Sequence, residues 1–233
     1  MILQPDIPRH RPLVLALGLV PGLALRQPLR RRIDAAVERL LADASKAKTL
    51  IGWEPRHSLE EGLRATIDWS FDLLEEPEQE LFKQLSVFRG GFELDAVERV
   101  SGLDGLEALD FMDELVSKSL VTMESVGGEA RFELLDSLRA YGRLRLDPEG
   151  LSELQQRHLD WSWNLVILAE QRLRGPEAGY WLDRLDRERD NVRAALTFAI
   201  EEGRYGAALS LSGSRGWFWY RRGYVSEGRY WLE

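Results

Sequence analysis

The side chains able to do chemistry in this chain are scattered. The three histidines, His10, His57 and His158, have no second ligand or carboxylate at a metal-binding spacing on a shared face. No cysteine is present, which removes thiolate nucleophiles, disulfides and thiolate metal sites and fits a reducing compartment. A phosphate loop ending in Gly-Lys-Ser/Thr, whose backbone amides and lysine cradle phosphates, does not occur. Neither does a Gly-x-Gly-x-x-Gly fingerprint or a Tyr-x-x-x-Lys pair, so hydride chemistry on a dinucleotide has no foothold. Carboxylates are many, but from Asp183 to Asp190 they interleave with arginines, as on a solvated helix face. The chain is therefore expected to be no enzyme, with no catalytic residue, metal or cofactor of its own.

Binding is the other chemistry open to it. Trp217, Phe218, Trp219 and Tyr220, with Tyr224, Tyr230 and Trp231, form the densest aromatic cluster. Two readings of it stand open. It could line a concave surface that grips a peptide or protein, with Trp217, Trp219, Tyr220, Tyr224 and Trp231 as contacts. Its plainer reading is core between helix pairs, laid bare where a next repeat is missing. The net charge of -8 and pI near 5.1 argue against a general nucleic-acid binder.

These residues need elements to hold them. Residues 1–32 read as an irregular leader. Leu13 to Leu25 is apolar but broken by Gly18, Pro21 and Gly22, and it is too short to span a bilayer. Ile33 to Leu41 is expected as a helix, with a further turn or two at Ser45 to Leu50. Ser58 to Glu61 reads as a capping box. After it, Leu59, Leu63, Ile67, Phe71 and Leu74 recur as one buried stripe. A second helix starts near Pro77, carries Leu81, Leu85 and Phe88, and stops at Gly90-Gly91. Leu94 to Val100 forms a third, ended by Gly102. Leu106 to Lys118 forms a fourth, with Leu109, Met112 and Val116 inward.

The period then changes. Leu120 to Glu124 and Arg131 to Leu135 alternate like strands around Gly127-Gly128, which predicts a hairpin packed on the helices. Helices followed by one hairpin outline a winged helix. From Asp136 onward everything reads as helix, broken at Pro148, Gly150, Gly175-Pro176, Gly203, Gly216 and Gly223. Helix-pair lengths with small residues at Ala194, Ala195, Ala207 and Ala208 suggest solenoid repeats. The apolar run into Trp231-Leu232-Glu233 has no cap, which suggests truncation.

Several words of this sequence resemble one family. They are Leu63-Arg-Ala-Thr-Ile-Asp-Trp-Ser-Phe-Asp-Leu-Leu74, Leu85-Ser-Val-Phe-Arg-Gly-Gly-Phe92 and Leu115-Val-Ser-Lys-Ser-Leu-Val121. Further on come Arg131-Phe-Glu-Leu-Leu-Asp-Ser-Leu-Arg-Ala-Tyr141, the run Trp181 to Leu196, and Arg222-Gly-Tyr-Val-Ser-Glu-Gly-Arg-Tyr-Trp-Leu-Glu233. Residues 63–233 resemble the region after the nucleotide-binding core of bacterial signal-transduction ATPases with numerous domains, the large LuxR-type and antibiotic-regulatory transcription factors. The resemblance implies a winged helix, then tetratricopeptide-like repeats. It implies ATP or ADP in a full-length parent, an upstream nucleotide-binding domain and a protein or peptide partner on the repeats. Related ATPases place a Met-His-Asp word where Leu134-Leu135-Asp136 stands, so Leu135 and Asp136 mark the nucleotide-sensor position. Leu135 cannot donate to a phosphate, and Asp136 is expected instead to cap the next helix.

A shorter stretch, Ala42 to Lys48, Leu50 to Pro55 and Ser58 to Leu63, resembles the C-terminal tail of sugar-nucleotide epimerases and dehydratases. The expected fold class is mainly α: a leader at 1–57, a winged helix with one hairpin at 58–147, and helical pairs of an α-solenoid at 148–233. The expected function is a non-catalytic, cytoplasmic regulatory segment that relays nucleotide state to a partner. The alternative is an epimerase remnant. No membrane contact is expected. Direct DNA binding is not expected either, because the candidate recognition helix sets Glu107, Asp110, Asp113 and Glu114 against Lys118.

Overall fold

The computed structural model describes residues 45–52, 54, 56 and 59–232, and these fall into two separate units divided at Ser58. In the first unit the described part is helix α1 (Ser45–Ile51), with Leu50 and Ile51 exposed. The leader at 1–32, the helix expected at 33–41, His10, His57 and the Ser58 end of the capping box lie outside the described residues.

The second unit opens with α2 (Leu59–Asp72) and α3 (Glu76–Leu85). Ile67 and Phe71 of α2 are buried, and Phe71 meets Phe82 and Tyr141 edge-on, each at 5.6 Å. The expected stripe is shorter than read, because Leu63 is 51% exposed. Helix α3 starts where Glu75 and Glu78 bridge each other's backbone ends with Pro77 in the first turn. It stops at Leu85, before the glycines. Phe88 is still buried, but from the loop, where it stacks on Phe92 at 4.5 Å.

Strand β1 (Phe92–Glu93) leads into α4 (Leu94–Ser101), which ends on Gly102 in the left-handed region at φ 82°. Helix α5 (Gly105–Ser117) is capped by Asp104, whose carboxylate accepts from the amides of Leu106 and Glu107. Its inward residues are Ala108, Met112 and Leu115, so the helix is turned relative to the expected face and Leu109 points outward. Strands β2 (Thr122–Val126) and β3 (Glu129–Glu133) form the hairpin around Gly127 and Gly128, both with positive φ. The sheet is antiparallel in the order β1-β3-β2, with Phe92 opposite Phe132 and Met123 on the far side of Phe132. Strand β1 was not foreseen, because two residues carry no readable period. The unit from α3 to β3 is a winged helix.

Helix α6 (Asp136–Arg143) follows, with Leu135 as its N-cap; Asp136 is its first helical residue and pairs with Arg139 instead of capping. Acid in that first turn still suits the positive helix end. Helix α7 (Pro148–Arg172) is the longest, capped by Asp147, and buries Leu154, His158, Trp161 and Leu165. Leu168 of the same helix is exposed. Then come α8 (Ala178–Arg187), α9 (Arg189–Glu201), α10 (Tyr205–Gly213), α11 (Gly216–Arg222) and α12 (Val225–Leu232). Trp181, Leu182 and Leu185 of α8, and Val192, Leu196 and Ala199 of α9, are all buried. Among the described residues no helix is long and apolar enough to cross a membrane.

Helix α12 lies against α11 only because residue 228 is glycine. A Cβ there would fall 2.5 Å from Cε3 of the Trp219 ring. Gly228→Ala is expected to force that ring out of place and destabilise the protein by about 1–3 kcal/mol. Urea denaturation followed by circular dichroism checks this; an unchanged midpoint would show that the ring gives way freely.

Candidate functional site

The most concentrated polar chemistry among the described residues lies where β1 and β3 meet α8 and α9. Arg131 of β3 is buried, and its Nη1 sits 2.7 Å from Oε1 of Glu188. Its Nη2 donates to the carbonyls of Gly91 at 2.6 Å and Arg187 at 2.7 Å. Glu188 is 0% exposed and turns its other oxygen to Nδ2 of Asn191, 2.6 Å away. Asn191 is equally buried and clamps the loop after α3. Its Oδ1 accepts the Arg89 amide at 2.7 Å, and its Nδ2 also donates to the Gly91 carbonyl at 3.0 Å. Burying charges this deeply is costly unless they are paired and hydrogen-bonded, as these are to one another.

A second tier surrounds this one. Glu93 of β1 pairs with Arg184, and with Arg187 Nε at 3.3 Å; Arg184 also reaches Asp95 at 2.8 Å. Burial and the nearby Glu188 carboxylate push the Asp95 carboxyl above its usual range. Gly91 makes the arrangement possible, since a Cβ at that position would lie 2.5 Å from Arg131 Nε. The glycine expected to stop a helix instead leaves room for a guanidinium. The run from Asp183 to Asp190 is likewise not all solvated surface: Arg184 and Glu188 are buried.

The remaining candidates separate. His158 is buried, edge-on to Phe88 at 5.3 Å, with no hydrogen-bond partner on Nε2. Burial holds its pKa down at about 4, nearby Arg89 adds to this, and Asn191 opposes it. Leu135 is half-buried and Asp136 exposed. Among the aromatics, Phe218 and Trp219 are core, Trp217, Tyr224 and Trp231 are half-buried, and Tyr220 is 68% exposed. A cleft of about 340 Å³ opens between α7 and α10, beside Leu159, Asp160, Trp163, Arg204 and Ser210. None of the aromatic candidates lines it. Among the described residues no three His, Asp or Glu side chains are placed to hold a metal ion. Sequence reasoning missed Arg131, Glu188 and Asn191 as a unit, since nothing local links Arg131 to Glu188, 57 residues on.

The outer face of α5 carries Leu106, Glu107, Asp110 and Asp113, all exposed, while Lys118 is taken up by Glu114 and Glu78. Comparison with known proteins bears on this face. The winged helix-turn-helix domain family matches residues 74–147. A Mycobacterium tuberculosis (strain H37Rv) protein named "Putative HTH-type transcriptional regulator" is 37% identical over 180 residues, 73% of this chain and 20% of that protein. An "Uncharacterized protein" of the same strain is 40% identical over 95 residues, 39% of this chain and 24% of that one. A 41-residue stretch, 18% of this chain, is 51% identical to part of the UDP-glucuronate 4-epimerase of Thermodesulfobacterium geofontis, covering 13% of it. No solved structure matches significantly. The chain spans about a fifth of the length of the regulators it matches. The expectation of no direct DNA binding is thereby overturned. The helix-turn-helix match and the regulator relatives point toward DNA. The acidic helix face, read alone, led the other way.

Two outcomes follow from the buried groups. Glu188→Ala leaves Arg131 short of its closest carboxylate and is expected to cost about 3–5 kcal/mol, whereas Arg131→Met with Glu188→Met together should recover much of the loss. Urea unfolding of Glu188→Met, Arg131→Met and the double variant decides it; additive losses would disprove the coupling. For His158, the folded pKa near 4 lies below the model-peptide value of 6.5. Between those values the unfolded chain binds the extra proton, so stability falls as pH drops from 6.5 toward 4. His158→Phe should flatten that part of the stability-versus-pH curve. An unaltered curve would show that other groups carry it.

Proposed function

We propose that this chain is a non-catalytic segment of a DNA-directed transcriptional regulator, in which a winged helix and a set of helical pairs move as one lever. The observation that carries the lever is the ionic junction. Arg131 and Glu93 come from the sheet, Arg184 from α8, Asn191 from α9 and Glu188 from the joint between those helices. Sliding one part past the other would strip partners from buried charges, at several kcal/mol each. A force applied at either end is therefore transmitted and not absorbed.

On this reading residues 58–147 are the winged-helix domain and 148–233 the beginning of tetratricopeptide-like repeats. The repeats receive a protein or peptide partner through Tyr220 and its aromatic neighbours, where large rings offer contact area at low entropy cost. An upstream nucleotide-binding domain of a longer parent would set the position of the winged helix, and the lever would pass that state to the repeats. The names of the mycobacterial relatives and the helix-turn-helix match support the transcriptional part. A protein with this role works in the cytoplasm, where the DNA is.

The test is fluorescence anisotropy of the chain with labelled duplex DNA at low salt, run beside an ATP and UDP-sugar turnover assay. Binding that weakens steeply as salt rises, without turnover, is expected. Steady product formation, or no DNA binding at about 50 mM salt, would sink the reading.

A further inference from the structure

Charge on the winged helix is unevenly placed. The α5 face is acid, yet arginines gather at another corner, around α6 and the loop after α3. Arg139 and Arg143 stand four residues apart on α6 and so share one face. Gly142, between them, sets α6 against α3: a Cβ there would lie 3.3 Å from both Phe82 Cε1 and Ser86 Cβ. Three residues past Ser86 the chain emerges at Arg89. Its amide is fixed by Asn191, so the position of this arginine is set by the same junction.

Asp136 pairs with Arg139, while among the described residues neither Arg89 nor Arg143 enters an ion pair. The Arg89 guanidinium has its pKa lowered, first by partial burial and then by repulsion from Arg139 and Arg143. Like charges held together on a folded scaffold are stabilised by an anion placed between them. Arginine suits phosphate oxygens, because its planar fork donates two parallel hydrogen bonds.

We infer that Arg89, Arg139 and Arg143 form a contact site for the phosphate backbone of duplex DNA, and that this corner, not the exposed face of α5, meets the DNA. The inference rests on the reading of the chain as part of a DNA-directed regulator and says where on the winged helix the DNA lies. Contacts of this kind carry no sequence information. They position the protein on the duplex and make its binding depend on salt.

The experiment measures anisotropy of a labelled duplex of mixed sequence against salt for the whole chain, Arg143→Gln, Arg143→Lys, Arg89→Gln and Arg221→Gln. The last removes one positive charge from α11, away from the corner. Arg143→Gln and Arg89→Gln should each weaken binding several-fold and reduce the slope of log affinity against log salt by about 0.9. Arg143→Lys should keep the slope, and Arg221→Gln should match the parent. Circular dichroism establishes that each variant is folded. Full-strength binding by both corner variants would overturn the corner and leave the regulator reading standing. Equal loss in Arg221→Gln would overturn it too, by showing a net-charge effect. Displacement of the duplex by equimolar ADP, with ADP binding lost in Arg143→Gln, would reassign the corner to a free nucleotide. No binding by the parent chain would remove the regulator reading and the corner with it.

Discussion

One buried asparagine and the two charges beside it govern how this molecule is put together. Asn191 spends its amide on three groups at once: the Arg89 amide, the Gly91 carbonyl and the Glu188 carboxylate. Glu188 in turn holds Arg131, which reaches back to the Gly91 carbonyl. The loop between α3 and β1, the wing strand β3 and the start of α9 are thereby closed into one hydrogen-bonded ring. In a low-dielectric interior such a ring tolerates no half measures, because any lost partner leaves a desolvated charge or amide behind. The winged helix and the helices after it therefore share an interior rather than a surface.

The ring also organises the apolar side. The loop that Asn191 fixes carries Phe88, and Phe88 stacks on Phe92 and meets both His158 and Trp161 edge-on. Aromatic rings from the winged helix and from α7 are thus packed directly beneath the ionic layer. The same loop presents Arg89 outward. A single constraint sets a piece of core on one side and the reach of a surface cation on the other.

Most of the helices were legible because each carries its own period and punctuation, as Asp104, Asp147, Gly102 and the hairpin glycines show. Faces were less legible than elements. Leu109 and Ala108 compete for the inside of α5, and only the neighbours decide that the small residue goes in. The candidate site was the least legible part. Alternating arginine and acid between positions 183 and 190 is the signature of a solvated helix, and only tertiary structure tells that Arg131 and Glu93 of the sheet cover it. The acidic face of α5 is too narrow a basis for excluding DNA, since a small domain has more than one face. Two-residue strands such as β1 leave no signal at all.

The span of the ring in sequence has a consequence for how the polypeptide is made. Residues 89 to 93 and 131 leave the ribosome long before Glu188 and Asn191, which stand about a hundred positions downstream of the first contacts. At a synthesis rate of about 5–20 residues per second, the nascent winged helix waits several seconds with Arg131 and Glu93 paired only to each other, without Glu188 and Arg184. The ionic junction is completed only after translation has passed Asn191, and a nascent chain paused before that point would leave these polar groups of the winged helix facing water and chaperones.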